Sequence, residues 1–451
     1  LVQRLLFAKI EVWVVLLVGI LGLLGLVGFG AAVLDGERET ARFGPVGPAA
    51  LAVAEIPDTV KALLEEDMLM AGFFPRRFAD RPTGWTFGDG PRPEGYVLMS
   101  RYDGDRARHV VQLVSLADGT VQHEWLPDAD SLLADAPRTS RIAQQEHWST
   151  RYYRVIAPIL TDDGTLVIKD HQSYLYGIDA CSEKLWSEYD VLLHHSTESD
   201  GAGGWWIPGY VEPSEVERID PKFIDDALVH LGPKGEVLWR KSLTQMFLDH
   251  GLEYALFTAG DYQIDPIHLN DIEPVLEDGP YWKKGDLFLS FRHMSMIMLY
   301  RPATDEILWM KQGPWLAQHD VDILDATRIG IFNNNAYDRG TDARIHGTNE
   351  IVVYDFATDQ VSRPWDAAMK AADVKTLFEG LFTVLPDGSV LVEEENAGRL
   401  LVLGQDGTVR AEFINKGVDG IGYRMGWSRY LTQTEGEAEL ARLAATSCPS
   451  G

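Results

Sequence analysis

The sequence predicts an all-β body, a six-bladed β-propeller, behind a single N-terminal transmembrane helix and with a few helical insertions. Three observations predict it. An uncharged apolar run extends from Val12 to Leu34. From Gly95 onward, one unit recurs: an apolar strand, a polar turn with Gly or Asp, another strand, then a short strand closing on an aromatic residue. Asp-Gly turns separate alternating apolar runs, the strongest short-range hairpin signal.

The apolar run is long enough, at about 1.5 Å per residue, to cross a hydrocarbon core of about 30 Å. Arg4 and Lys9 precede it, and Asp35, Glu37 and Glu39 surround Arg38 after it. Positive charge stays in the cytoplasm, so residues 1–11 are expected inside and the body outside. Trp13 sits where an interfacial aromatic would. Ala31-Ala32 keeps a cleaved leader as the alternative. Gly19, Gly22, Gly25 and Gly28 form a slowly rotating stripe that a partner helix backbone can approach, although glycine is also simply frequent in such helices.

Residues 35–94 read as a linker and helical or loop segment packed on the body. Arg42–Ala54 is Pro/Gly/Ala-rich and reads as linker. Pro57–Met70 carries helical spacing through Val60, Leu63, Leu64 and Met68. Pro75–Pro93 is loop-like. The propeller spans residues 95–430, and 431–451 form a C-terminal tail.

Six units lie at spacings of roughly 40 to 60 residues, the range of propeller blades. Their closing pieces end at Trp125, Trp186, Trp239, Trp309, Trp365 and Phe413. These aromatics are expected to pack between blades. Asp163-Gly164 and Asp387-Gly388 mark further hairpins. Gly201–Pro221, Leu243–Gln263 and Asp366–Lys375 are longer insertions, the last two helical in pattern. No WD dipeptide marks a WD40 repeat, and no Gly-rich phosphate loop opens a helix.

Composition narrows the partners. The 451 residues carry 68 acidic and 40 basic side chains, a formal charge of −28. Phosphate backbones select Lys/Arg surfaces, so nucleic acid is excluded as a partner. An anion site must be a local positive pocket. Cys181 and Cys448 are too few for a disulfide framework or a metal knuckle, and are compatible with an oxidising compartment.

Three clusters between Asp265 and Asn335 carry candidate chemistry: Asp265 to Asn270, Ser290 to Ser295, and Gln318-His319-Asp320 followed by Phe332 to Asn335. His268 begins the fourth unit, Arg292 and His293 lie in the middle of its second strand, and His319 begins the fifth. His194 and His195 sit at the matching position of the third. Strand ends near a propeller's channel bring such residues to one pocket. Neutral imidazole is a competent nucleophile, and a guanidinium is the better oxyanion clamp because its planar fork donates in pairs.

These motifs resemble the bacterial arylsulfotransferase family of cofactor-independent six-bladed propellers. The resemblance rests on His268-Leu269-Asn270, Ser290-Phe291-Arg292-His293, Gln318-His319 with Phe332-Asn333-Asn334, and the closing Gly422-Tyr423-Arg424. It implies that His319 attacks the sulfur of an aryl sulfate and becomes a sulfohistidine, that Arg292 and His268 hold the sulfate oxygens, and that His194 or His195 assists. Asn270, Asn333, Asn334 and Trp205 are the expected substrate contacts. A phenol then takes the sulfuryl group, with no metal or cofactor. The flanking charges, not the resemblance, place the body in the periplasm on a single-pass inner-membrane anchor, and that anchor departs from the family's soluble periplasmic enzymes. Phe-Asn-Asn departs from the family's Phe-Asp-Asn, and no separate N-terminal β domain fits before the first blade.

Other readings stand beside these. Asp265, Asp271 and Asp320 either orient the neighbouring imidazoles or are turn residues, the second favoured, and His293 is expected to face away from Arg292, in a packing or rim role, because neighbouring strand residues point to opposite faces. Glu393-Glu394-Glu395 reads as a solvated blade edge. Trp205-Trp206 and Tyr281-Trp282 read as loop aromatics that either stack a ring or pack. A zinc site lacks the HExxH spacing. The alternative function is a non-catalytic propeller, an accessory or scaffold subunit of a membrane complex; six units are too few for a quinoprotein dehydrogenase.

Overall fold

The protein is described from a computed structural model over residues 11–37, 41–57 and 70–448, apart from 147, 221, 258–259, 261, 341 and 447. It divides into two units, residues 1–69 and 70–451.

In the first unit, helix Val12–Glu37 is long and apolar enough to cross a membrane. The stretch read as linker is instead a second helix, Val46–Ala54, behind Pro45. Composition hid it because the turn is held by one carboxylate: Asp35 accepts the N–H groups of Arg42 and Phe43, each at 2.9 Å. The two helices touch through glycines, and a Cβ on Gly36 would lie 2.5 Å from the Gly47 carbonyl oxygen. Among the described residues, and apart from the helix's own backbone, nothing lies within 4 Å of the positions a Cβ would take on Gly19, Gly22, Gly25 and Gly28. Arg4, Lys9, Arg38, Glu39 and the helical pattern after Pro57 fall outside the described residues.

In the second unit, the strands form six blades in a ring. Blade 1 runs Arg429–Leu431, Tyr96–Asp103, Arg108–Ser115, Val121–Trp125. Blade 2 is Ile159–Leu160, Leu166–Ile168, Ser173–Ile178, Lys184–Leu193. Its last strand continues through Glu198–Ser199 as the innermost edge of blade 3, whose other strands are Trp205–Tyr210, Asp226–Leu231 and Val237–Ser242; the two blades therefore share one sheet. Blade 4 is Leu269–Pro274, Leu287–Phe291, Met296–Arg301, Glu306–Gln312. Blade 5 is His319–Ile323, Arg328–Asn333, Glu350–Asp355, Gln360–Ser362, with the hairpin Ala336–Asp338/Ala343–Ile345 inserted. Blade 6 is Leu381–Val384, Val390–Glu394, Arg399–Leu403, Val409–Ile414. Both chain ends close the ring, since Arg429–Leu431 completes blade 1 and Gly84–Phe87 adds a fifth strand to blade 6.

Both faces of each central strand are buried, because each faces a neighbouring blade. On strand Leu287–Phe291, Leu287, Leu289 and Phe291 pack toward blade 3 with Trp206 and Leu228, while Phe288 packs toward blade 5 with Ile329 and Tyr354. Each such residue contributes roughly 1.5–3 kcal/mol by burial. The closing aromatics sit in these seams: Trp186 stacks on Trp205, and Trp309 lies 5.0 Å from Tyr354. Trp205 is thus a packing residue on a strand, not a loop aromatic, and the insertion read at Gly201–Pro221 contains blade 3's second strand. Trp282 likewise packs on Phe288 and Phe356. The helical insertions form as expected, at Leu243–Asp249, Glu253–Phe257 and Asp366–Ala371.

A second device ties the ring together. From every blade, one buried or half-buried polar side chain reaches the backbone at the entry of the next. Ser100 Oγ donates to Val155 O at 2.7 Å, and Lys169 Nζ donates to His195 O. Asp226 accepts from Leu269 N, Asp271 from Val321 N and Asp320 from Phe382 N, at 2.7, 2.8 and 2.8 Å. Glu393 accepts from Trp427 N and Ser428 N at 2.7 and 2.9 Å. Asp271 and Asp320 are therefore inter-blade clips, not turn residues. The Glu393–Glu395 run is not a solvated edge either, since all three are fully buried. Glu394 pairs with Arg77 and Arg399, and Glu395 with Arg154. Period-two counting missed this because Glu395 leaves the strand and opens a 3-10 turn.

The residues read as a plain tail form a helix, Gln433–Leu443, started by the capping box of Thr432 and Glu435. Beyond it, Cys448 is disulfide-bonded to Cys181 in blade 2.

Candidate active site

The site lies where the innermost strands begin. Backbone there is bent into the left-handed region: φ is +51° at His195, +52° at His268, +56° at Glu379 and +58° at Trp427. Such conformations are costly for side-chain-bearing residues and gather where function holds them. They turn these residues out of the alternation of their strands. The ring of His195 then lies 4.2 Å from His171, 5.1 Å from His268, 6.1 Å from His319 and 6.2 Å from Trp427. Arg292 sits in the turn after strand Leu287–Phe291, not in its middle, and its N–H donates to His268 O at 3.0 Å. Its guanidinium covers Phe378 at 4.8 Å.

The surrounding partners assign the imidazole tautomers. Asn334 donates its amide to Glu379 O at 2.7 Å and Thr376 O at 3.2 Å. Its Oδ1 must therefore accept, and it takes Nδ1–H of His319 at 2.8 Å. Nε2 of His319 keeps its lone pair, which accepts the Glu379 N–H at 3.1 Å. Asp265 is an acceptor at 2.6 Å from Nδ1 of His268, so that Nδ1 donates. His194 donates from Nε2 to Gly209 O at 3.3 Å, so its Nδ1 accepts from Nδ1 of His195 at 2.7 Å. His195 thus enters the cluster, while His194 stacks on Tyr210 behind it.

Electrostatics keep His319, His195 and His171 neutral. Burial, then the Arg292 charge, pushes His319 well below 6.5. Burial, then the neighbouring imidazoles, does the same to His195. Burial lowers His171 to about 4, against its bond to Glu379. Burial also lowers Arg292, to about 10, so it stays charged at neutral pH. Among the described residues, Nε of Arg292 is buried without a partner. Burial would raise Asp265, but the bond from His268 and the nearby imidazoles hold it below the usual carboxylate range. One cation and a set of neutral imidazoles therefore meet at one place in an acidic protein, as an anionic transition state requires.

Not every expected contact comes here. Asn333 is fully engaged within the blade, accepting from Leu316 N and Asn335 N and donating to Glu350. Asn270 donates to Gln318 O at 2.7 Å, and its Oδ1 is buried without a partner among the described residues. His293 is exposed at the edge of the cluster, its ring 4.2 Å from His268 and its Nδ1 donating to Asp265 O, while Arg292 lies over Phe378. Asp265, His268 and His293 have ligand atoms within 4.8 Å of one another, the spacing a metal ion takes.

The sequence reading missed His171 and Glu379. Glu379 binds Arg154 through both oxygens, at 2.6 and 3.0 Å, and His171 at 3.0 Å. A signal existed for His171, which follows the second strand of blade 2 as Arg292 follows that of blade 4. Glu379 had none, since its role runs through a backbone N–H.

No curated protein matches the chain. Among solved structures it is similar to a protein of unknown function from Bacteroides caccae (10% identity, TM-score 0.46, 75% of this chain and 99% of that one). It is also similar to the WD40 β-propeller domain of Doa1 (11%, 0.38, 78% and 98%) and to BamB from Moraxella catarrhalis (11%, 0.32, 77% and 84%). The family model described as Arylsulfotransferase (ASST) matches residues 158–416, more than half of the chain. That span includes His171, His195, His268, Arg292, His319, Asn334 and Glu379, and the chain belongs to the arylsulfotransferase family.

Proposed function

We propose that the protein is a membrane-anchored arylsulfotransferase that moves a sulfuryl group from an aryl sulfate to a phenol through a sulfohistidine on His319. The observation that carries this is the tautomer of His319: Asn334 holds Nδ1–H and leaves the Nε2 lone pair beside the Arg292 cation. In the first step Nε2 forms a bond to sulfur as the bond from sulfur to the aryl oxygen breaks, and the phenolate leaves. The Glu379 N–H, bonded to Nε2 at rest, must first release it, at about 1 kcal/mol for one hydrogen bond. Released, it is a donor for a sulfuryl oxygen beside Arg292. In the second step an acceptor phenol forms its O–S bond as the N–S bond breaks. Its proton passes to Nε2 of His268, and Asp265 stabilises the imidazolium. Helix Val12–Glu37 is the anchor, and the Cys181–Cys448 disulfide supports an oxidising compartment for the body.

The test is turnover. With 4-nitrophenyl sulfate and phenol, the full chain in detergent releases nitrophenolate and forms phenyl sulfate, and His319→Ala abolishes both. A folded protein that transfers nothing from any aryl sulfate refutes the proposal and returns the scaffold reading.

A further inference from the structure

The end of helix Val12–Glu37 carries a second apolar element that packs inside out. Helix Val46–Ala54 meets it at Gly47, where a Cβ would lie 2.8 Å from the Asp35 carboxylate and 3.5 Å from the Ala32 carbonyl oxygen. Of the second helix's residues, only the small Gly47 and Ala50 are buried. Its larger side chains stay outside the contact. Val46 and Val53, seven residues apart on one stripe, are 57% and 54% exposed, and Ile56 just beyond is 52% exposed. A helix lying on a water-washed body does the reverse, burying large apolar residues and exposing polar ones. Here every residue from Phe43 to Ala54 is apolar, Gly or Pro, so there is no polar face to turn to water.

Two features match this surface to the edge of a bilayer. The first is its place. Ala32, Asp35 and Gly36 belong to the last two turns of a helix that, at about 1.5 Å per residue, is longer than a hydrocarbon core of about 30 Å. Leu34, in the same turns, is exposed, so apolar surface runs on from the crossing helix to the second one. The second feature is the backbone of the turn. Asp35 accepts the N–H groups of Arg42 and Phe43. Gly44 N–H donates to Ala41 O and Val46 N–H to Phe43 O, each at 3.2 Å, and Pro45 and Pro48 have no N–H at all. Backbone polar groups that enter an apolar medium have to be satisfied within the chain, and the turn meets that demand at each of these positions.

Resting on the membrane-anchor reading above, we infer that Val46–Ala54 is an interfacial helix, with Phe43, Val46, Val53 and Ile56 set among the acyl chains of the leaflet at that end of the anchor. The partner is a lipid surface, recognised by apolar area. The helix carries no Lys or Arg, so its insertion does not require anionic headgroups. The chain is then held by one helix that crosses the bilayer and one that lies in its surface.

Site-directed fluorescence tests this on the full chain reconstituted in phosphatidylcholine vesicles. Cys181 and Cys448 are joined, so a newly introduced cysteine is the thiol that takes an NBD label. Val53→Cys reports the second helix, with Val46→Cys on the same stripe as its check. Val18→Cys reports the middle of the anchor, and Val418→Cys, at a fully exposed position of the body, reports water. Thermal melts establish that each labelled variant is folded. The label at Val18 should be quenched by lipid carrying a deep doxyl group. The labels at Val46 and Val53 should be blue-shifted from that at Val418, quenched by lipid carrying a shallow doxyl group, and at least about fivefold less sensitive to aqueous iodide. Labels at both second-helix positions that behave like that at Val418, while Val18 is quenched by lipid, overturn the inference and leave the anchor standing. Labels there that are shielded from iodide yet untouched by either doxyl lipid also overturn it, since something other than lipid then covers the helix. A Val18 label that no lipid quenches removes the anchor and the inference with it.

Discussion

Replacing Asn334 by Leu tests how the proposed nucleophile is prepared. The change keeps approximate volume and removes three buried hydrogen bonds: two from the amide to blade 6 carbonyls and one from His319 Nδ1. Thr376 O keeps a second donor in Asn349, while Glu379 O loses its amide. At about 1 kcal/mol for each bond, the fold loses roughly 3 kcal/mol. Unfolding entropy near 2.1 cal/mol/K per residue, over the whole body, makes that a fall in Tm of about 3–4 °C. Activity falls for a separate reason. A buried Nδ1–H without an acceptor costs about 1–3 kcal/mol, relieved when the ring turns or changes tautomer and takes the lone pair away from Nε2. At 1.4 kcal/mol per factor of ten, kcat/KM for 4-nitrophenyl sulfate should drop about 10- to 100-fold. On a His319→Ala background the same change should cost no further activity, because the two residues act as one unit. A variant with the expected fall in Tm but kcat/KM within twofold of the parent would show that Asn334 only props blade 6, and the tautomer argument would fail.

Three further outcomes follow from the same geometry. Because burial and Arg292 hold His319 well below 6.5, kcat/KM should show no acid limb between about pH 7.5 and 5.5; a limb centred on an ordinary histidine value contradicts the site. Glu393 is raised to about 7 by burial, so its contribution to stability is present below its unfolded value near 4.5 and is lost as pH rises through 7. The Tm of Glu393→Gln relative to the parent should therefore climb from about pH 5 to pH 8, and a difference that shrinks would refute the shift. Cys181→Ser opens a bond that closes a separation of 267 residues, which should lower stability by up to about 5 kcal/mol in calorimetry while leaving turnover unchanged.

Much of the body was legible in the sequence because propeller blades repeat. Asp-Gly turns and closing tryptophans gave the strands, their order and the helical insertions. Legibility failed where backbone left the repeat. Trp205 looked like a loop aromatic because a Gly-rich turn directly precedes its strand. The helix at Val46–Ala54 hid inside a Pro/Gly/Ala composition, held by Asp35 from the preceding helix. In the site, residue types identified His195, His268, Arg292 and His319, which do converge, but not the second layer. Asp271, Asp320 and Glu393 looked like turns or surface because their partners are backbone N–H groups of the next blade, far away in sequence. Asn333 and Asn334 are indistinguishable as letters, and only their opposite directions separate a blade brace from the residue that orients His319.

The most direct measurement is the mass of the protein itself. Incubated with 4-nitrophenyl sulfate and no acceptor, the chain should gain the mass of one SO3, mapped by peptide fragmentation to His319 and discharged on adding a phenol. Steady turnover with no adduct, or an adduct on His195 or His268 that persists in His319→Ala, would contradict the account.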